Sequence, residues 1–318
     1  MTVKPEYKIP EKIVIGTRGS PLALAQANMV KDILDNTGYN IAVSLRIIKT
    51  SGDWRPEDGE VRLEALAGGK AQFAKEIEEA LLAGEIDMAV HSMKDMETVL
   101  PDGLVIPYML PRENVRDAFL SNKVRKISDL PMGSVVGTTS VRRQAFLLHQ
   151  RPDLQVVPFR GNVQTRIDKM KSGQVDATFL ACAGLNRLGL ADEISSALSV
   201  DEMLPSVGQG AVGIEVREDA LQGLSFFSQY SCFNTCVCVN CERGVLRALG
   251  GTCHTPVGVY ACWNDGEIHL RVKVVSPDGT SMWSEDVRAN ISNVEEATAF
   301  GEEIGRQLKL KVPEGILN

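Results

Sequence analysis

From residue 12 to about residue 190, short apolar runs alternate with stretches whose apolar residues recur every three or four positions. That alternation predicts strands separated by amphipathic helices, the βαβ rhythm of an open sheet with helices on it. KIVIGTR reads as a strand. SPLALAQANMVKDILDNTG reads as a helix with Ser20 as N-cap, Pro21 in the first helical position and Gly38 near its C-terminal end. IAVSLRIIKTSGD is a strand running into a loop, QFAKEIEEALLAGE a helix, and IDMAVHSMKD a strand ending in a polar loop. LPRENVRDAFLS reads as a pause between two blocks. The rhythm then restarts through SVVGTTS, VRRQAFLLHQ, LQVVPFRGN, VQTRIDKMKSG and VDATFLACAG, and LPSVGQGAVGIEVRED supplies a glycine-rich loop and one more strand. From about residue 232 the texture changes. A helix in CERGVLRALGG precedes the alternating runs VGVYACW, EIHLRVKVVSPDG and SMWSEDVRA, and a closing helix is expected near 293–309, together a small α+β domain.

Composition narrows the class. The chain has 318 residues, 44% hydrophobic and 24% charged, an ordinary globular balance with length for two or three domains. A net charge of −7 gives no global pull toward nucleic acid. MTVKPEYKIPEK has no apolar core of a signal peptide, and no run approaches the roughly 18 apolar residues of a membrane span. The expectation is a cytoplasmic protein that uses neither membrane nor nucleic acid. In that compartment seven cysteines, an odd number, do not read as a disulfide framework.

Ligands of open α/β sheets bind at strand-end loops, and the polar residues gather there. GTRGS offers Arg18 and Ser20 at a helix start; TSGDW is a further candidate loop; HSMKDM offers Ser92, Lys94 and Asp95. GTTSVRR places Thr138, Thr139 and Ser140 before Arg142 and Arg143, PFRGNVQTR adds Arg160 and Arg166, and GLNRLG adds Arg187. Guanidinium forks grip carboxylates and phosphates, and helix N-termini add free N–H groups. Two readings follow: a cleft for a polyanion, or surface charges and salt bridges. No Walker A or GxGxxG pattern is present, so a nucleotide is the weaker choice of anion. Asp95 is the carboxylate embedded in this basic set, suited to holding a cation or ligand N–H groups, or else balancing charge. His91 ends an apolar run and is expected to be hydrogen-bonded and structural. Cys232, Cys236, Cys238 and Cys241, followed by Cys253, His254 and Cys262, are dense enough to raise a metal site, but no paired CxxC motif is present and CVCV has the alternation of a strand. The favoured reading is buried cysteines and no metal.

TRGSPLALAQ, GGKAQFAKEIE, AVHSMKD, GTTSVRR, RGNVQTR, AGLNRLG, LPSVGQGAVGIE and GGTCHTPVG run in order from residue 16 to 258, and together they resemble the porphobilinogen deaminase (hydroxymethylbilane synthase) family. The resemblance implies an α/β fold of two periplasmic-binding-protein-like lobes with mixed sheets and a smaller α+β C-terminal domain. It implies a first lobe of residues 1–112 and 210–228, a second of 113–209 and a cofactor-anchoring third domain of 229–318. It implies a transferase, monomeric as the family is, that condenses four porphobilinogen units with loss of ammonia onto a dipyrromethane cofactor and releases linear hydroxymethylbilane. Cys253 matches the cysteine that tethers the cofactor through a thioether, and Asp95 the catalytic aspartate. Arg18, Arg142, Arg143, Arg160, Arg166 and Arg187 match arginines that hold acetate and propionate groups. Ser20, Ser92, Lys94, Thr138 and Ser140 match polar contacts to cofactor or substrate, Phe73 an aromatic near the substrate ring, and Gln26 and Gln209 cleft positions. Glu97 stands where the family usually has proline, and Cys241 where it commonly has alanine. The competing expectation is a two-lobed anion-binding protein without catalysis.

Overall fold

The computed structural model describes residues 8–52, 73–251 and 255–317, which divide into two compact units. The first comprises residues 8–52, 73–112 and 211–236; the second comprises 113–210, 237–251 and 255–317.

The first unit is built on β1 (Lys12–Thr17), α1 (Pro21–Asp35), β2 (Ala42–Ile47), α2 (Lys75–Leu82), β3 (Met88–Ser92), β4 (Leu104–Met109) and, after the whole intervening block, β10 (Val212–Arg217). Its sheet runs β2-β1-β3-β10-β4. β1 is parallel to β2 and β3, whereas β10 is antiparallel to β3 and β4. Ile13, Ile15, Met88, Ile214 and Val216 are fully buried, as expected of central strands with both faces covered. Val30 and Leu34 of α1, one helical turn apart, close one face. Phe226 and Phe227, from a stretch that had no obvious place in the sequence, are buried in this same core, with Phe227 stacked at a tilt on Tyr108 and Tyr230.

The second unit repeats the design. Its first sheet, of order β7-β6-β8-β5-β9, is made by β5 (Asp117–Ser121), β6 (Val135–Gly137), β7 (Gln155–Val157), β8 (Ala177–Ala181) and β9 (Ser196–Ala197). β6 is parallel to β7 and β8, and β5 is antiparallel to β8 and β9. The helices are α3 (Val141–Gln150), α4 (Val163–Lys171) and α5 (Cys182–Arg187). Two readings are corrected here. DAFLS is not part of a pause but the buried central strand β5, and CAG does not extend β8 but opens α5.

The second unit also holds the C-terminal meander β11 (Val257–Asn264), β12 (Glu267–Val275) and β13 (Met282–Asn290), followed by α8 (Val294–Lys309). It packs on the preceding block: Val259 N–H donates to Pro205 O at 2.9 Å, and His149 Nδ1 lies 2.7 Å from Gly279 O. The helix read in CERGVLRALGG is α7 (Phe233–Leu249), and it begins at Phe233, so CVCV is helical rather than a strand. The reason lies in a longer period: Val237, Cys241, Val245 and Leu249, four residues apart, are all buried. α8 lies close against α7. A Cβ on Gly301 would sit 2.0 Å from Cys241 O, and one on Gly244 2.5 Å from Thr298 O.

Candidate active site

Within the first unit a pocket is lined by Arg18, Ser20, Gln26, Phe73, His91, Ser92 and Asp95 among others, enclosing about 460 Å³ of space open to solvent. The ends of parallel strands β1 and β3 build it. After β1, Ser20 caps α1, its Oγ accepting from Ala23 N–H at 3.3 Å, and the Thr17 hydroxyl donates to Ala23 O at 3.2 Å. This fixes the turn that carries Arg18. The Arg18 guanidinium carbon lies 4.4 Å from the centroid of the Phe73 ring, a cation–π contact. Gly52 admits that ring, since a Cβ there would fall 2.5 Å from it. One turn into α1, Gln26 is only 2% exposed and exchanges hydrogen bonds with the Ser92 hydroxyl at 2.8 and 3.1 Å, tying the helix to the end of β3.

Asp95 ends a single 3₁₀ turn, Met93–Asp95, and is half-buried at the pocket. The turn is held from β10: Met93 N–H donates to Ala211 O at 3.0 Å. Gly213 makes room for the Met93 side chain, as a Cβ there would lie 2.2 Å from Met93 Sδ. Lys94 belongs to the same turn.

Behind the wall, His91 Nε2–H donates to Glu215 Oε2 at 2.9 Å, the two side chains being 6% and 0% exposed. Glu78 of α2 faces them. Its carboxyl is raised to about 7, by burial first and then by Glu215 and Glu97, against the opposing effect of His91. The expectation that His91 is hydrogen-bonded is met, and Glu78 and Glu215 are members of the site that sequence reasoning missed. A glutamate in an otherwise apolar strand, GIEV, was the available signal.

In the second unit the arginines divide. Arg142 and Arg143 are buried on Asp117 of β5. Arg142 Nη1 and Nη2 donate to Oδ2 and Oδ1 at 2.8 and 3.2 Å; Arg143 Nε and Nη2 donate to Oδ1 at 2.8 and 2.6 Å. Burial pushes the Asp117 carboxyl up, but the two guanidiniums outweigh it and hold it at about 2. The remaining N–H groups are shared: Arg142 also reaches Leu204 O, and Arg143 reaches Phe179 O, both at 2.8 Å. Arg142 Nε is buried and meets no acceptor. Arg160 is buried, and its carbonyl accepts from Lys169 at 3.1 Å. Arg166 lies in the first turns of α4, whose N-cap is Asn162. Arg187 donates to Gly210 O at 2.8 Å and keeps a buried Nε without an acceptor. Thr138 is buried and accepts from Ser140 N–H at 3.1 Å, while Ser140 caps α3. Gln209 is 1% exposed and donates to Val115 O at 2.7 Å. The buried Arg187 donor that meets no acceptor, in the same unit as the capped N-termini of α3 and α4, suits a carboxylate of the kind a dipyrromethane carries.

Cys253 and His254 lie outside the described residues, as do the GGKAQ motif and the later part of TSGDW. Cys182, Cys232, Cys236, Cys238, Cys241 and Cys262 are free thiols. Burial pushes Cys182 up to about 11 and also raises Cys236 and Cys241, which keeps these thiols protonated at neutral pH. Among the described residues no group of three or more His, Cys, Asp or Glu is arranged to hold a metal ion, and no helix is long and apolar enough to cross a membrane.

Comparison with known proteins gives matches along most of the chain. Residues 13–223 match the family model described as porphobilinogen deaminase, dipyromethane cofactor binding domain, and residues 236–310 match the porphobilinogen deaminase C-terminal domain. A porphobilinogen deaminase of Nitrobacter hamburgensis is 47% identical over 306 residues, covering 94% of this chain and 93% of that protein. A chloroplastic porphobilinogen deaminase of Oryza sativa subsp. japonica is 46% identical over 311 residues, covering 96% of this chain and 86% of that protein. Among solved structures, the periplasmic aliphatic sulphonate binding protein SsuA of Escherichia coli aligns with a TM-score of 0.42 at 14% identity, over 75% of this chain and 70% of that one.

Proposed function

The chain belongs to the porphobilinogen deaminase family and is a transferase making hydroxymethylbilane in tetrapyrrole biosynthesis; from that premise we propose how its own residues divide the work. Asp95 is the catalytic carboxylate. The observation that carries this is its convergence with Arg18, Phe73 and Ser92 on one pocket.

Porphobilinogen carries two carboxylates and an aminomethyl group on a pyrrole. Arg18 takes a carboxylate, with the Phe73 ring keeping its guanidinium in place from the other side. Loss of ammonia leaves a cation spread over the substrate ring. A fixed carboxylate beside it, already oriented by the Met93–Asp95 turn, stabilises that charge without reorganisation. Ser92, held by Gln26, presents its hydroxyl to the same space. When bound, the dipyrromethane supplies the pyrrole α-carbon to which the first substrate unit is joined. Cys253 is its tether, and Arg142, Arg143, Arg160, Arg166 and Arg187, with Lys94, Thr138, Ser140 and Gln209, form its surroundings. Arg142, Arg143 and Gln209 act there chiefly by holding the second unit's loops, because their donors are largely engaged by Asp117, Leu204, Phe179 and Val115. We read the protein as a cytoplasmic monomer with one small-molecule substrate, divided into two lobes and a third, cofactor-anchoring domain.

Two measurements test the reading. Intact mass spectrometry of the purified protein is expected to show two linked pyrroles beyond the polypeptide mass, absent in Cys253→Ser; an active protein at the bare polypeptide mass refutes the tether. Asp95→Asn is expected to lower turnover by about 10²–10³-fold, the loss typical of one electrostatic stabiliser, in a folded protein. Wild-type turnover in that variant refutes the role of Asp95.

A further inference from the structure

Behind the pocket wall lies a cluster of ionisable groups that the ligand contacts above do not use. Glu215 is fully buried; its Oε2 accepts from His91 at 2.9 Å, and its Oε1 is buried with no donor in reach. In the β3–β10 register Glu215 stands opposite Ala89, and His91 opposite Gly213. Residues two apart share a face, so both side chains emerge on one side of the strand pair. α2 packs on β3 and β10 and brings Glu78 to the pair, and Glu97, two residues beyond Asp95, faces the same carboxyl. His91 is thus a partition, with the pocket on one side and a carboxylate cluster on the other.

Among the described residues, the charges that act on the Glu78 carboxyl are those of Glu215, His91 and Glu97. β4 reads LVIPYM, and its Tyr108 hydroxyl is donated to Leu224 O. Within β1 the buried stretch Ile13–Thr17 is uncharged, and α1 contributes the amide of Gln26. Arg217, at the end of β10, donates to Leu81 O and Ile86 O at the far end of α2.

We propose that Glu78 is a supporting carboxylate of the active site: its ionisation places a negative charge behind the His91 wall, and that charge favours the cationic stage of the reaction beside Asp95. The inference rests on the reading of this pocket as the active site. The carboxyl of Glu78, raised to about 7, changes charge in the neutral range. As a general scale, a unit charge that acts over roughly 10 Å at an effective dielectric of about 20 changes a rate by about tenfold. Glu97 adds to the pressure on Glu78.

The test is kcat and KM for porphobilinogen against pH, in the wild-type holoenzyme, Glu78→Gln, Glu97→Gln and Asp95→Asn. Wild-type kcat is expected to rise about tenfold as pH increases through the neutral range, with KM unmoved. Glu78→Gln, which cannot ionise, is expected to stay at the acid-side plateau. Glu97→Gln removes a neighbouring charge at nearly constant side-chain size, and is expected to shift the limb to lower pH. Carbon-13 NMR of carboxyl-labelled glutamate should show one carboxyl titrating near neutrality in the wild type and missing in Glu78→Gln. The proposal is overturned if the limb persists in Glu78→Gln, if a uniform loss at all pH values replaces it, if KM moves instead of kcat, or if the limb ignores Glu97→Gln. Asp95→Asn separates the two layers. Retained turnover there sinks the pocket reading itself, whereas an inactive Asp95→Asn beside an unaltered Glu78→Gln profile sinks the Glu78 inference alone.

Discussion

Asp117→Asn should be a destabilising change out of proportion to its size. The side chain keeps its volume but loses the charge that two buried guanidiniums share, and it keeps one acceptor oxygen where four N–H contacts now fall on two. Removing one partner of a buried ion pair costs about 3–5 kcal/mol, because the other charge is left uncompensated. Linkage gives an independent lower figure. The carboxyl sits at about 2 against an ordinary 3.8, which corresponds to about 2 kcal/mol in favour of the ionised folded state. Because the folded value is depressed, that contribution is present above the ordinary carboxylate range and is lost as pH falls through about 2. We therefore expect a loss of about 4 kcal/mol at neutral pH. For a unit of this size that lowers the midpoint by roughly 8–16 °C. Urea and thermal unfolding followed by circular dichroism would measure it, and repeating the urea series in acid should show the gap between variant and wild type closing. A variant within about 1 kcal/mol of wild type at neutral pH, or a gap that widens on acidification, would refute the account of the Asp117 centre.

Two further changes probe the supports of the site. Glu242 of α7 accepts from Gly208 N–H at 2.8 Å and Ala261 N–H at 2.9 Å, joining the loop before β10 to β11; Glu242→Gln has a single acceptor oxygen, and should lose about 1–3 kcal/mol of stability by denaturant titration. Gln26→Leu roughly keeps the side-chain volume but leaves the Ser92 hydroxyl without its partner, and is expected to lower kcat about tenfold, with a loss of about 1–3 kcal/mol in stability by denaturant titration.

Much of this architecture can be read from the chain alone, and the failures have local causes. α1 begins at Pro21 under a Ser20 cap and α3 spans VRRQAFLLHQ, because caps and a 3.6-residue period act within a few residues. β5 was hidden because DAFLS follows a polar, proline-bearing run and opens on an aspartate whose burial makes sense only once Arg142 and Arg143 arrive from α3. CVCV alternates at period two over four residues, but the four-residue spacing from Val237 to Leu249 decides the helix, and that longer pattern is interrupted by charged Glu242 and Arg243. The pocket followed from motif positions at strand ends. The carboxylates behind it did not, since a buried glutamate in a strand gives no sign of its partner, here 124 residues away in His91.

The place of β10 has a consequence for how the chain comes into being. Synthesis delivers β1 to β4 first, yet β10 separates β3 from β4 in the finished sheet. Until Arg217 has emerged, β3 and β4 have no shared ladder, and the Met93–Asp95 turn lacks the Ala211 carbonyl that holds it. At about 5–20 residues per second the wait is on the order of 5–20 s. During that time the sheet of β5 to β9, whose strands are contiguous in sequence, can complete itself. The block inserted into the middle of the chain is therefore the one placed to fold first, and the pocket that holds the catalytic aspartate is completed only afterwards, when β10 joins its own sheet.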